Sequence, residues 1–315
     1  MDKVSDVDPE WQLKTIGRGS FATASVLTGR PVAFKQVIVR ARTPELKQEF
    51  EMFLVLYDLC STDSHVAVPR PLAYYNPAAV EFISPSNDAP ESTGRRPHVA
   101  KPDFQALGLE NAAYAMDHVL PLPLAVARAV RDLFYPPLSV PAPSPSLCRL
   151  YFGKVIEKVG SAGRPIRFFN SSNFPLDCTR YKLLTETAKH CEFPSMELIA
   201  FGMGEMVGRL HWFAGYDARD IEFVLGGQSF SGVLTHVIDF NQMRSWSREK
   251  DQIHLLVESF FQNDPYYPRP RASEPLWEDF RRGYVSAYSA HAQKLASIVL
   301  QAFEQEQANR DSRHD

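Results

Sequence analysis

The sequence predicts an α+β chain in two parts: a small antiparallel β lobe (1–120), then a larger, mainly helical lobe with acidic loops (121–315). Three observations carry this. Trp11 to Val39 reads as three short strands separated by glycine turns. A helix with one apolar face follows directly. The second half has helical apolar periods at 195–213, 251–262 and 275–305.

The elements follow in order. WQLKTI is a half-alternating run before the turn Gly17-Arg18-Gly19-Ser20, FATASVL a second strand, and PVAFKQVIV a third, rich in β-branched residues. Thr43-Pro44-Glu45 supplies a cap, a Pro at the first helical position and an acid in the first turn. Leu46, Phe50, Phe53, Leu54 and Tyr57 then recur at helical spacing through Leu59. VAVPRPLAYYN reads as a strand, and AAYAMDHVLPLP as a strand running into a linker. Residues 83–103 and 135–147 are polar or Pro-rich and read as exposed excursions. In 195–213 the spacing puts Leu198, Met206 and Leu210 on one face. IEFVL and HVIDF are strands around a Gly-Gly turn, and the charged tail from Glu304 is expected to fray.

Thirty-four Lys and Arg against 37 Asp and Glu give a net charge of −3, which excludes a polycation that coats nucleic acid. No run of about 18 apolar residues exists to span a membrane. The polar, acidic start MDKVSDVDPEWQ does not read as a secretory signal, so the expected compartment is the cytosol. Cys60, Cys148, Cys178 and Cys191 are scattered without a CxxC pair. They read as reduced thiols, and no metal is expected.

The chemistry sits in two groups of motifs. Gly17-Arg18-Gly19-Ser20-Phe21 lies between two strands. Val32-Ala33-Phe34-Lys35 follows on a third, and the next helix carries Glu49 and Glu51. Further on come Leu210-His211, then Asp217-Ala218-Arg219-Asp220-Ile221-Glu222, then Val237-Ile238-Asp239-Phe240-Asn241. This order resembles protein kinases and aminoglycoside phosphotransferases, and the resemblance implies their bilobal fold. It sets Lys35 and Glu49 as the strand–helix pair, Asp217 at the catalytic Asp and Asp239 at the metal Asp. Two departures stand out: the third glycine is missing, and Glu222 replaces the magnesium-binding Asn.

Gly215 to Gly227, Ile238-Asp239-Phe240-Asn241-Gln242 and Asn263-Asp264-Pro265-Tyr266-Tyr267-Pro268-Arg269-Pro270 resemble a narrower, fungal family. That family is known as a domain of unknown function and loosely labelled zinc finger. The resemblance implies an arginine-containing cyclodipeptide synthase of secondary metabolism. Such an enzyme takes arginine and a second amino acid from arginyl-tRNA and another aminoacyl-tRNA, and needs no cofactor. Asp217, Glu222, Asp239 and His211 are then the catalytic candidates. Asp220, Lys35, Glu49, Arg269 and Arg271 are the substrate-binding candidates, the last two beside tyrosines that could stack on an acceptor end. The partners are tRNAs, with no DNA and no membrane. For His211 the preferred reading is a hydrogen-bonded core histidine that positions the loop, with a base as the second. Cys178 and Cys191 are nucleophile candidates on chemical grounds alone. Two other readings stay open. One is an ATP-dependent small-molecule phosphotransferase, with Asp239 and Glu222 on magnesium. The other is a non-catalytic module of kinase-like shape.

Overall fold

The computed structural model describes residues 12–85, 98–135, 144–156 and 173–313. The chain is α+β and divides into two compact units, Met1–Tyr57 with Pro69–Val119, and Asp58–Val68 with Leu120–Asp315.

In the first unit the meander is β1 (Leu13–Arg18), β2 (Ala22–Leu27) and β3 (Val32–Val37), followed by α1 (Thr43–Cys60). Then come β4 (Pro71–Asn76), β5 (Glu81–Ile83), α2 (Lys101–Ala106) and β6 (Ala113–Asp117). The six strands form one antiparallel sheet in the order β1-β2-β3-β6-β4-β5. Strand alternation sends neighbouring residues to opposite faces. Phe34, Tyr75 and Phe104 share one side, where Phe34 meets Phe104 edge-on at 5.5 Å. Lys35, Tyr114 and Tyr74 are register partners on the other side, where Phe50 of α1 stacks on Tyr74.

The second unit contains α3 (Leu124–Phe134), β7 (Leu147–Tyr151), β8 (Asn173–Asp177), α4 (Cys178–Thr187), α5 (Met196–Arg209), β9 (Glu222–Gly227), β10 (Val233–Ile238), α6 (Ile253–Gln262), α7 (Pro275–Ser286) and α8 (Gln293–Asp311). Its four-stranded sheet has the order β10-β9-β7-β8, with β7 and β8 parallel. Ser195 caps α5 by accepting from Leu198 N, which satisfies one of the orphan donors of a helix start. α5 and α7 cross with backbones in contact: a methyl on Gly204 would overlap the Phe280 carbonyl, and one on Gly283 the Phe201 carbonyl. α5 then widens into one π turn, Leu210–Ala214, closed by left-handed Gly215 (φ 74°). Arg248 donates to the carbonyls of Trp212 (2.7 Å) and Phe213 (2.9 Å), satisfying acceptors that the helix end leaves open.

The strands of the meander, the first helix and the β9–β10 hairpin lie where the pattern puts them. Other readings need correction. The stretch 275–305 is two helices, because the chain turns at 287–292. The tail does not fray at Glu304: α8 continues to Asp311, held by buried Phe303 and Gln307 and by Trp277 Nε1 donating to Glu304. Leu198 is exposed while Met206 and Leu210 are buried, so they do not share a face. α2 begins at the end of the supposed excursion 83–103 and runs past it; Asp103 accepts from the Ala100 N–H at 2.7 Å to start it. The remainder of that segment, 86–97, and 136–143 of the second excursion lie outside the described residues. α3, β7 and β8 had no assignment in the pattern.

Candidate functional site

Within the first unit, Lys35 on β3 reaches Glu49 on α1, Nζ to Oε1 2.6 Å, and Tyr114 donates to the same oxygen at 3.0 Å. The sheet register aims Lys35 and Tyr114 at the helix together. Glu49 is buried, so its charge is held by these donors. Phe21, just after the glycine turn, packs with its ring centre 4.4 Å from the Arg42 guanidinium and 5.6 Å from Lys35 Nζ.

Within the second unit the π turn delivers His211 and the loop that follows. His211 is fully buried: Nδ1 meets the Tyr284 hydroxyl at 2.7 Å, and that hydroxyl meets Tyr288 at 2.8 Å. Burial pushes the imidazole down to about 4, against the pull of Asp217. It is neutral near pH 7 and enclosed with Asn263, Tyr267, Leu256 and Phe260.

Asp217 is buried with both oxygens saturated. Oδ1 accepts from the N–H groups of Arg219 (3.1 Å) and Arg244 (2.9 Å). Oδ2 accepts from Arg244 Nε (2.7 Å) and Ser259 Oγ (2.8 Å). Four donors fill the lone-pair sites of a carboxylate. The geometry therefore gives Asp217 the work of fastening the loop to α6 and to the segment after β10.

The other acids gather elsewhere. Asp220 and Glu222 flank the start of β9, and Asp239 follows β10, whose Ile238 lies opposite Glu222. Asp264 joins them from the loop after α6. Ala218 (φ 54°), Asp220 (φ 61°) and Asp239 (φ 65°) are all left-handed, so two short loops hold strained backbone where the carboxylates are aimed. Asn263 fixes the loop: its Oδ1 accepts from Asp220 N at 2.6 Å, and its Nδ2 donates to Ala218 O at 3.0 Å. Gln242 donates to the Asp220 carboxylate.

Arg149 on β7 meets Glu222, Nη2 to Oε2 2.5 Å. Arg149 is the register partner of Val224, so Glu222, two residues along β9, is its diagonal neighbour on the same face. Burial pushes Glu222 up to about 7; the Arg149 charge opposes this, and Asp239, Asp220 and Asp264 add to it. Asp220 is raised too, by burial and then by Asp239 and Asp264. Tyr151 and Tyr266 stack at 5.2 Å beside the group, and both hydroxyls point to Asp264 at 3.3 and 3.4 Å.

The four acids read from the sequence are thus not one set: Asp220, Glu222 and Asp239 come together, and Asp217 stands apart in its own network. Arg149 and Asp264 belong to the group and were missed. Asp264 lay within a singled-out motif; Arg149 had no signal, because its place depends on strand register. Tyr266 and Tyr267 are buried and present no face to a base. Arg269 donates to the Gly153 carbonyl at 3.0 Å, and Arg271 pairs with Asp311.

A family model described as zinc finger protein (DUF3669) matches residues 236–295, the stretch from β10 through α7 to the start of α8. No curated protein matches the chain. The matched stretch has no cysteine, and Nδ1 of His236 and of His254 each meets a backbone carbonyl. Among the described residues no three His, Cys, Asp or Glu groups converge to hold a metal ion. No helix among them is long and apolar enough to cross a membrane.

Proposed function

We propose that this protein is an aminoacyl-tRNA-dependent cyclodipeptide synthase that makes cyclo(Arg-Xaa) diketopiperazines, with a kinase-like architecture put to that use. The observation that carries the reading is Glu222, a mostly buried carboxyl held by Arg149 at 2.5 Å and pushed up to about 7 by burial, with Asp220, Asp239 and Asp264 adding to the push. An α-amine has a pKa of about 7.7–8.0, so a base of about 7 matches it and would be substantially ionised at neutral pH.

The chemistry divides among the residues as follows. Asp220 and Asp239, with Asp264, offer carboxylate oxygens to the planar donor fork of an arginyl guanidinium. Glu222 takes a proton from the α-amine of one aminoacyl group. The amine nitrogen bonds to the ester carbonyl carbon of the other, the carbon–oxygen bond to the ribose breaks, and the proton passes to the released ribose oxygen. A second, intramolecular round closes the ring and frees the second tRNA. Holding the two groups together is a large part of such catalysis. The esters supply the driving force, so the reading needs no nucleotide and no metal.

The Lys35–Glu49 pair keeps a phosphotransferase as the second reading, because that pair is what kinases use to hold nucleotide phosphates. Against it stand Glu222 in place of the magnesium Asn and the saturated oxygens of Asp217. Mass spectrometry of extracts from a host expressing the chain tests the proposal. Cyclic Arg-Xaa dipeptides are expected with the wild type and absent with Glu222→Gln. Extracts without them, from a host holding folded wild-type protein, contradict it.

A further inference from the structure

Among the described residues, one cation holds the Glu222 carboxylate. Arg149 reaches it across the antiparallel β7–β9 pair at 2.5 Å, from the strand at the middle of the sheet, between β9 and β8. Both side chains are mostly buried, so the contact is little screened by water. Arg149 is itself fixed. Among the described residues its buried Nε meets no hydrogen-bond partner, and its neighbours β8 and β9 pin the backbone on both sides. A buried guanidinium with an unused donor is costly, so packing alone does not account for an arginine here.

We propose that Arg149 is the positioning residue of this site: it holds the Glu222 carboxylate in the ionised, oriented form that can accept a proton. The catalytic part of this rests on Glu222 being the general base; the ion pair does not. Among the described residues, the other charges that act on Glu222 work in the opposite direction: Asp220 ahead of β9, Asp239 after β10 and Asp264 after α6 are all acids. Tyr151 and Tyr266 complete the surroundings. His236 lies along the same face of β10 with Nδ1 against the Leu234 carbonyl. Without Arg149 nothing on these elements opposes protonation of Glu222.

The test follows the Glu222 side-chain carboxyl by NMR in protein labelled with 13C-glutamate, the signal being assigned by its loss in Glu222→Gln. Arg149→Met should move the titration midpoint of Glu222 upward by about 1–3 pH units, the effect of removing an adjacent opposite charge. Arg149→Gln serves equally where the methionine variant does not fold. In the synthase assay, the neutral variants should lower kcat with little change in KM and carry the acid limb of the pH–rate profile upward. Arg149→Lys, which keeps the charge, should restore most of the rate. A folded neutral variant with an unmoved Glu222 midpoint overturns the proposal, whatever the enzyme makes. A wild type that yields no cyclic dipeptide defeats the functional reading and leaves the titration result intact.

Discussion

Asp217 and Arg244 are joined twice, once through the Arg244 backbone N–H at 2.9 Å and once through its Nε at 2.7 Å. The same guanidinium also reaches Glu258 at 3.3 Å and Ser259 at 3.2 Å. Arg219 adds a further contact to Glu258 at 3.5 Å. One buried carboxylate thus ties the loop ahead of β9, the segment after β10 and helix α6 to one another. Asp220, Glu222 and Asp239 of the proposed site hang from the first two of these, and Asp264 follows the third.

Asp217→Asn should therefore lose stability first. The amide would set its own N–H donors against donors already in place, and would leave Arg244 without its buried counter-charge. Breaking such a pair from one side costs about 3–5 kcal/mol, less here because Arg244 is one-third exposed. Urea denaturation should show a loss of about 2–4 kcal/mol. A variant as stable as wild type would remove the fastening role.

The α5–α7 crossing makes a sharper contrast. Gly204→Ala and Gly283→Ala each push a methyl into a carbonyl of the facing helix, which only backbone movement can relieve. Each should destabilise by at least about 2 kcal/mol. Gly17→Ala, near the end of β1, meets only Ala24 Cβ at 3.9 Å and should leave the melting temperature nearly unchanged. Equal melting shifts for the three would contradict the close crossing.

The dependence of stability on pH has a definite sign. Burial pushes His211 and His236 down to about 4. Unfolded, they titrate near 6.5, so their contribution is present above pH 6.5 and lost as pH falls toward 4. Glu222 is raised instead, to about 7. Its contribution is present below about 4.5 and lost as pH rises through 7. Two histidines outweigh one glutamate, so between pH 4.5 and 6.5 these groups make stability rise with pH, by up to about 1.4 kcal/mol per unit. Glu222→Gln should steepen that rise and His236→Gln should flatten it. Denaturation midpoints measured from pH 5 to 7 decide the matter; a Glu222→Gln variant with a shallower slope contradicts it.

The thiols should be inert in the folded protein. Burial pushes Cys60 up to about 12, and Cys178, although partly exposed, also up to about 12 through burial and the nearby Glu274 and Asp177. Cys148 and Cys191 are raised by burial as well. Since the thiolate is the nucleophile, iodoacetamide at pH 8 should modify the native chain slowly and the denatured chain at all four positions. Rapid labelling of native Cys178 would restore it as a nucleophile candidate.

Much of this was legible before any coordinates. The meander, Lys35, the Glu49 helix and both acidic loops announce themselves through local periodicity and turn residues, which need only a short stretch of chain. What escaped depends on distant segments meeting. Arg149 reads as an ordinary strand residue until β7 is paired with β9. Asp217 reads as a companion of Asp220 until Arg244 and Ser259, more than twenty residues further on, claim its oxygens. Tyr266 and Tyr267 look like a stacking platform beside basic residues, yet Tyr267 packs at 4.8 Å on Phe260 and Tyr266 at 5.2 Å on Tyr151. The end of α8, from Glu304, looks like a frayed tail because its buried side chain, Gln307, is polar and sits among charged residues.

The most direct measurement incubates the purified protein with preformed arginyl-tRNA and a second aminoacyl-tRNA, without ATP, and follows cyclic Arg-Xaa dipeptide by mass spectrometry. The account predicts product in the absence of any nucleotide, abolished by prior ribonuclease treatment and by Glu222→Gln, and falling steeply with added salt as phosphate contacts are screened. Product that survives complete digestion of the tRNAs, or that appears only when ATP is supplied after charging, contradicts it.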